Sequence, residues 1–199
     1  MRQLIVFNNI SLDGYFTDAN NDMSFAKRDV DDPEYAAFVG QNASGEGISL
    51  FGRVTYEMMA SFWPTPIAEQ MMPEVAESMN ARPKIVFSRT LREAPWNNTT
   101  LVSDDAVEYV RRLKEQPGPD LAVLGSGQIV SQLAQAELVD EYQFVIVPVV
   151  LGKGRTLFET VTRPIALRLT QTRSFQNGSL FLSYEGVKDA AADHSVHLV

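Results

Sequence analysis

Three short segments carry residues suited to holding phosphate. The first is Gly125-Ser126-Gly127-Gln128, which follows the apolar run Leu121–Leu124 and precedes Ile129, Val130 and Leu133 at helical spacing. Small residues at a strand-to-helix turn let an anion approach free backbone N–H groups at the positive end of a helix dipole. The same pattern also serves as a plain tight connection, and it departs from the dinucleotide fingerprint because the third glycine would fall at Val130. The second segment is Gly52-Arg53-Val54-Thr55-Tyr56-Glu57, again where an apolar run gives way to a helix-like stretch. Gly52 permits close approach, Arg53 offers a planar guanidinium that matches phosphate oxygens, and Thr55 adds a hydroxyl. The third is Ser88-Arg89-Thr90, a hydroxyl, a guanidinium and a second hydroxyl after another apolar run. Each arginine alone could equally be a solvated residue at a strand end. Together they point further, because the carboxyl ends of parallel strands in an open α/β sheet border one crevice. An extended nucleotide with several phosphates would fit there.

The elements that must position these turns are short continuous apolar runs separated by helix-like stretches, the pattern of strands buried on both faces of a mostly parallel sheet. Leu4–Phe7, Ile48–Phe51, Ile85–Phe87, Leu121–Leu124 and the longest run, Tyr142–Leu151, are predicted strands. Asp32-Pro33 reads as a helix cap followed by a first-turn proline, with Tyr35, Phe38 and Val39 on one face. Ile67, Met71, Val75 and Met79 recur every fourth residue and predict one helix running until Pro83. Ser103-Asp104-Asp105 opens a helix with a Val107, Val110 and Leu113 stripe and with Arg111, Arg112 and Lys114 near its negative end; Pro117-Gly118-Pro119 stops it. Beyond residue 165 the pattern alternates, and Asn177-Gly178 between Leu167, Leu169 and Leu180, Leu182, Tyr184 predicts an antiparallel hairpin with a type I′ turn.

Composition bounds the chemistry. The chain has 199 residues, is 45% hydrophobic and 21% charged, and suits one domain over residues 1–187 with a small, polar tail over 188–199. No apolar run reaches the roughly 18 residues of a membrane span. Met1-Arg2-Gln3 and the four apolar residues after it lack the form of a secretory signal, so a cytoplasmic location is expected. With no cysteine, the chain has no disulfide, thiolate nucleophile or cysteine-held metal. His194 and His197, both in the tail, are the only histidines and make no metal site by themselves. Seventeen basic residues against 25 acidic ones, a net charge of −8, argue against a nucleic-acid surface, so an anionic ligand needs a local cluster of cations.

Taken in order, Ser11-Leu12-Asp13-Gly14-Tyr15, Gly52-Arg53-Val54-Thr55-Tyr56-Glu57, Ser88-Arg89-Thr90 and Gly125-Ser126-Gly127 resemble the dihydrofolate reductase-like superfamily. Leu138-Val139-Asp140-Glu141-Tyr142, Pro148–Gly154 and Leu157-Phe158 make the chain more specifically similar to the reductase domain of riboflavin biosynthesis, which also occurs in bifunctional deaminase-reductases. The resemblance spans residues 4 to 187. It implies a three-layer α/β fold, with a mostly parallel central sheet, helices on both faces and a C-terminal antiparallel hairpin. It also implies an NADPH-dependent reductase acting on a small heterocycle, with 5-amino-6-(5-phosphoribosylamino)uracil as the example. Cofactor binding then falls to Gly52, Arg53, Thr55, Ser88, Arg89, Thr90, Gly125, Ser126, Gly127 and Gln128, with nicotinamide near the end of the first strand.

The substrate side is marked more faintly. Asp22 and Phe25 stand where relatives often carry an acidic residue and a tryptophan; Phe25 is either an apolar wall for a flat ring or a core residue. Asp29, Asp31, Asp32 and Glu34 lie near the place of the folate-reductase carboxylate, but none stands in a matching motif. Asp13 is the carboxylate to consider for proton donation, its alternative role being a turn residue before Gly14. The polar stretch from Gly14 to Phe25 is expected to move as a lid. The apolar run Tyr142–Leu151 suggests a homodimer, since relatives pair through this part of the sheet. Ser24-Phe25-Ala26-Lys27 lacks the companion motifs of an acylating serine, and Gly152–Thr156 is not a Walker A loop, although Lys153 or Arg155 could meet an anion. The other class of function that the phosphate turns allow is a dinucleotide-binding module without turnover.

Overall fold

The computed structural model describes residues 2–26, 32–44 and 47–187. Asp29, Asp31, Lys27 and the histidines of the tail lie outside the described residues. The first strand, β1 (Leu4–Ser11), enters the middle of an eight-stranded sheet. A two-residue strand, β2 (Thr17–Asp18), and a 3-10 turn at Ser24–Ala26 lead to helix α1 (Pro33–Ser44). Next come β3 (Ile48–Gly52), α2 (Arg53–Ala60), α3 (Pro66–Met71), α4 (Pro73–Ala81), β4 (Lys84–Phe87) and β5 (Thr99–Val102). The chain continues through α5 (Ala106–Glu115), β6 (Leu121–Leu124), α6 (Gly127–Gln135), β7 (Glu141–Val147), β8 (Gly154–Arg155), β9 (Leu167–Ser174) and β10 (Leu180–Gly186).

The large sheet has the order β5-β4-β3-β6-β1-β7-β10-β9. Its strands are parallel from β5 to β7, and β10 runs antiparallel to both β7 and β9. Alternation along each strand sends side chains to opposite faces. Leu4, Val6, Leu50, Val123 and Phe144 join Val110 of α5 and Leu133 of α6 in one core, so α5 and α6 cover that face. On the other face Val145, Val147 and Phe181 meet Tyr35 and Phe38 of α1, while Phe51 and Val86 meet Tyr56 of α2 with Val75 and Met79 of α4. The result is the expected three layers with a C-terminal hairpin. Among the described residues no helix is long and apolar enough to cross a membrane.

Three local expectations fail for identifiable reasons. The periodic stretch from Ile67 to Met79 is two helices, because Pro73 has no N–H to continue the ladder and instead opens α4. Val75 and Met79 are buried, whereas Ile67 and Met71 are 62% and 68% exposed. The strand predicted over Tyr142–Leu151 stops at Val147, before Pro148. Beyond it the Val149 carbonyl accepts from Leu12 N–H (2.8 Å) and thus holds the first loop. The hairpin has a three-residue connection in place of the two-residue turn. Phe175 N–H donates to Ser179 O (3.0 Å), Gly178 N–H to Phe175 O (3.0 Å), and only Gly178 has a positive φ (+83°). This is a type I turn closed by a left-handed glycine. Neither the edge strand β5 nor the small β2–β8 pair is marked by an apolar run in the sequence.

Candidate cofactor and substrate cleft

A cleft of about 520 Å³ opens at the carboxyl ends of β3, β4 and β6. Gly52, Arg53 and Thr55 line it from one turn, Ser88 and Arg89 from a second, and Ser126, Gly127 and Gln128 from a third, so the three segments converge as expected. Neither Thr90, which is exposed, nor Gly125, which is buried, lines the cleft.

Gly125 and Ser126 both sit in the left-handed region, at φ +64° and +57°, and this reverses the chain from β6 into α6. Glycine adopts that conformation freely, but serine does so only at a cost. What holds Ser126 there is a pair of bonds to the other phosphate-type turn. Its backbone N–H donates to Thr55 Oγ1 (3.1 Å), and its own Oγ accepts from Gly52 N–H (3.0 Å). The Ser126 hydroxyl also donates to Leu124 O (3.4 Å) and is therefore spent within the protein. Thr55 keeps its hydroxyl proton for a ligand. The turns after β3 and β6 consequently form one unit.

Helices α2 and α6 both start at this cleft, with Gly52 and Ser126 as their caps and no side-chain bond to either first turn. Their leading N–H groups are thus left for an anion. Helix α5 starts at the same cleft but is closed: Asp105 Oδ1 accepts from Val107 N–H (3.0 Å) and Glu108 N–H (3.1 Å). A side chain at residue 127 would collide with Phe16, whose ring atoms lie 2.6 Å from the position of an added Cβ. Phe16 was missed in the sequence; the available signal was a bulky apolar residue in an otherwise polar loop.

The cations of the cleft are not all free. Arg53 pairs with Glu57 one helical turn on (2.8 Å), and Arg155 pairs with Glu159 (3.0 Å), holding that carboxyl below its ordinary range. Arg89 is exposed. Ser88 Oγ accepts from Thr90 N–H (3.2 Å) and Leu91 N–H (3.0 Å), and it lies 3.3 Å from the Thr90 hydroxyl, so these two residues shape the loop that carries Arg89. Asp104, bound to Arg112 (3.2 Å), gives the rim a negative edge.

On the substrate side, Asp13 accepts from the Ser11 hydroxyl (2.6 Å), Leu151 N–H (3.1 Å) and Gly152 N–H (2.7 Å). The Ser11 bond, supported by the two N–H groups, holds its carboxyl below the ordinary range. Such a group grips a turn better than it gives up a proton. Asp22 caps the 3-10 turn through Ser24, and neither Asp22 nor Phe25 lines the cleft, where Asn21 and Met23 stand instead. Phe25 packs against the core that contains Tyr35 and Phe38. Asp32 caps α1 by accepting from Tyr35 N–H (3.0 Å), and it also accepts from Asn177 N–H (3.2 Å). These bonds lower its pKa, Tyr35 first. The segment from Gly14 to Phe25 is tied at several points. Phe16 N–H donates to Arg155 O (2.9 Å), β2 pairs with β8, and Asp18 accepts from the N–H groups of Asn20 (2.7 Å) and Asp22 (2.8 Å).

Comparison with known proteins agrees with this fold. A family model described as the RibD C-terminal domain matches residues 2–181. The uncharacterized protein YyaP of Bacillus subtilis is 29% identical over 183 residues, which cover 92% of this chain and 94% of YyaP. A solved Shewanella structure named for riboflavin biosynthesis superposes with a TM-score of 0.73 at 22% identity, covering 94% of this chain and 99% of that one. Enterococcus faecalis dihydrofolate reductase, solved with NADP(H), gives a TM-score of 0.62 at 14% identity, covering 94% of this chain and 97% of its own. At these identities the structural likenesses establish the fold.

Proposed function

The chain belongs to the RibD C-terminal domain family, and from that membership we propose that it is an NADPH-dependent reductase of a small heterocycle, of the 5-amino-6-(5-phosphoribosylamino)uracil type. The observation that carries the reading is the convergence of two helix starts without side-chain caps, those of α2 and α6, joined through Ser126 and bordered by Arg53 and Arg89. Linked N–H donors and guanidinium groups suit an extended diphosphate on a chain that is otherwise acidic.

In this account the first-turn N–H groups of α6, with Gln128, hold the diphosphate, and the Thr55 hydroxyl donates from the neighbouring helix. Arg53 and Arg89 hold the phosphate that distinguishes NADPH from NADH. NADPH, when bound, supplies the hydride, so the protein needs no nucleophile of its own. The residues of the cleft orient and desolvate the reactants. Asp13 fixes the turn after β1 against Leu151 and Gly152, and the proton comes from solvent. The run from Tyr142 owes its apolar character to a place between β1 and β10, with Tyr142, Phe144, Val145 and Val147 buried inside the chain, and so does not itself argue for a second copy. We nevertheless propose a homodimer, with Leu169 and Leu180 of β9 and β10, 49% and 41% exposed, as contacts.

The test is NADPH consumption, followed by absorbance, with 5-amino-6-(5-phosphoribosylamino)uracil and with dihydrofolate. Turnover of the first supports the proposal. NADPH binding without oxidation by either compound would instead favour the dinucleotide-binding module.

A further inference from the structure

We infer that Arg155 binds a phosphate group of the substrate, so that the heterocycle reduced in this cleft is an anionic one; the inference rests on the reductase reading above. Of the two basic residues in the Gly152–Thr156 turn, Lys153 is exposed and stands outside the cleft, whereas Arg155 is half-buried and lines it. Its Nη2 and Nε reach the Glu159 carboxylate at 3.0 and 3.4 Å, and Glu159 is not a lining residue. That carboxylate takes two of the five N–H donors from outside the cleft and fixes the plane of the guanidinium. Three donors remain for a ligand.

Its place along the sheet decides which ligand. The carboxyl ends of the parallel strands follow the order β5, β4, β3, β6, β1, β7. Asp104 and Asp105 follow β5, Arg89 follows β4 and Arg53 follows β3, so all four lie on one side of the α6 start, which follows β6. Arg155 comes from the other side. Its strand β8 is reached from β7 and pairs with the arm that leaves β1, with Thr17 opposite Arg155 and Phe16 N–H donating to Arg155 O (2.9 Å). Only glycine at 154 lets the two arms approach, since a Cβ there would stand 2.0 Å from Thr17 O. Phe16 in turn abuts Gly127, which sets the tied arms against the α6 start. A dinucleotide held by Arg53, Arg89 and the α6 N–H groups spends its phosphates on the first side and at that helix start. Its nicotinamide ring, which has no anionic group, and the substrate then lie towards β1 and β7. Among the described lining residues on that side there is no carboxylate, and Arg155 is the cation. The anion it suits is therefore the substrate's.

The test is calorimetric binding of 5-amino-6-(5-phosphoribosylamino)uracil and of its dephosphorylated riboside to wild type, Arg155→Ala and Arg155→Lys, with NADP+ saturating so that the cofactor's own phosphate sites are filled. Wild type should bind the phosphate compound roughly ten-fold or more tightly than the riboside. Arg155→Ala should lose most of that preference while its affinities for the riboside and for NADP+ stay unchanged, a pattern that a general loss of folding does not produce. Arg155→Lys, which keeps the charge without the planar fork, should fall between. Wild type that binds the two compounds equally, or binds neither while NADP+ is bound, overturns the inference. An undiminished preference in Arg155→Ala overturns it as well, and so does an equal loss for both compounds, which would make the residue structural. Weaker NADP+ binding in Arg155→Ala would give the guanidinium to the cofactor's diphosphate and likewise overturn the assignment. Failure of wild type to bind NADP+ refutes the reductase reading itself.

Discussion

Replacing Ser126 tests whether the two phosphate-type turns are a single unit. Ser126→Ala removes the acceptor of the Gly52 N–H bond (3.0 Å) and leaves that partly buried donor unpaired. An unsatisfied group of this kind costs about 1–3 kcal/mol. Ser126→Gly loses the same bond but relieves the left-handed backbone at φ +57°, where a side chain is strained. The glycine variant should therefore be roughly 1 kcal/mol more stable than the alanine variant. For a chain of this size each kcal/mol moves the melting temperature by about 2–4 °C. Urea unfolding of the three proteins, with unchanged denaturant dependence, gives the order wild type, then glycine, then alanine. A Ser126→Ala protein as stable as wild type, or a glycine variant below the alanine one, would refute the joined-turn account.

Three further outcomes are expected. Gly154→Ala places a Cβ 2.0 Å from Thr17 O, so the β2–β8 pair should open; hydrogen exchange should quicken in residues 15–22 while the core strands keep their protection. Exchange unchanged at those amides would contradict this. Burial, aided by the Arg82 guanidinium, lowers Lys84 from 10.5 to about 8, whereas three backbone carbonyls and the Trp96 ring favour its charged form. Between these pH values the unfolded chain holds more protons than the folded one, so stability should rise with pH from 8 to 9.5, within a ceiling of about 3 kcal/mol for the whole shift, and Lys84→Met should flatten the rise. A fall over that range would mean that the carbonyls win. Light scattering should report twice the chain mass for wild type and the chain mass for Leu169→Lys combined with Leu180→Lys; a monomeric wild type would remove the dimer.

Much of this arrangement is legible in the residues, and the illegible parts share a cause. Leu4–Phe7 and Leu121–Leu124 announce strands because both faces are covered, and Asp32 and Asp105 announce helix starts because capping is a local act. The break at Pro73 was equally local, but the four-residue apolar repeat masked it. The turn falls at Asn177-Gly178 as the spacing predicts but is not of type I′, since only the glycine takes a positive φ. Long-range bonds leave no trace in spacing. Nothing near Ser126 says that its hydroxyl will meet Gly52, 74 residues earlier, or that Asp13 will hold Leu151 and Gly152. The same is true of the fit between Phe16 and Gly127.

Titration calorimetry of NADPH and NADH into wild type, Arg53→Ala and Arg89→Ala tests the central claim most directly. The Arg53–Glu57 pair is nearly half exposed on both sides, and an exposed pair one helical turn apart is worth only about 0.3–0.5 kcal/mol. A charge-assisted bond to phosphate contributes on the order of 1.5–3 kcal/mol, so Arg53 should leave Glu57 for the ligand. Wild type should bind NADPH more tightly than NADH, and Arg53→Ala should weaken NADPH by roughly ten-fold or more with little change for NADH. Equal wild-type affinity for the two cofactors, or no binding of either, would contradict the account.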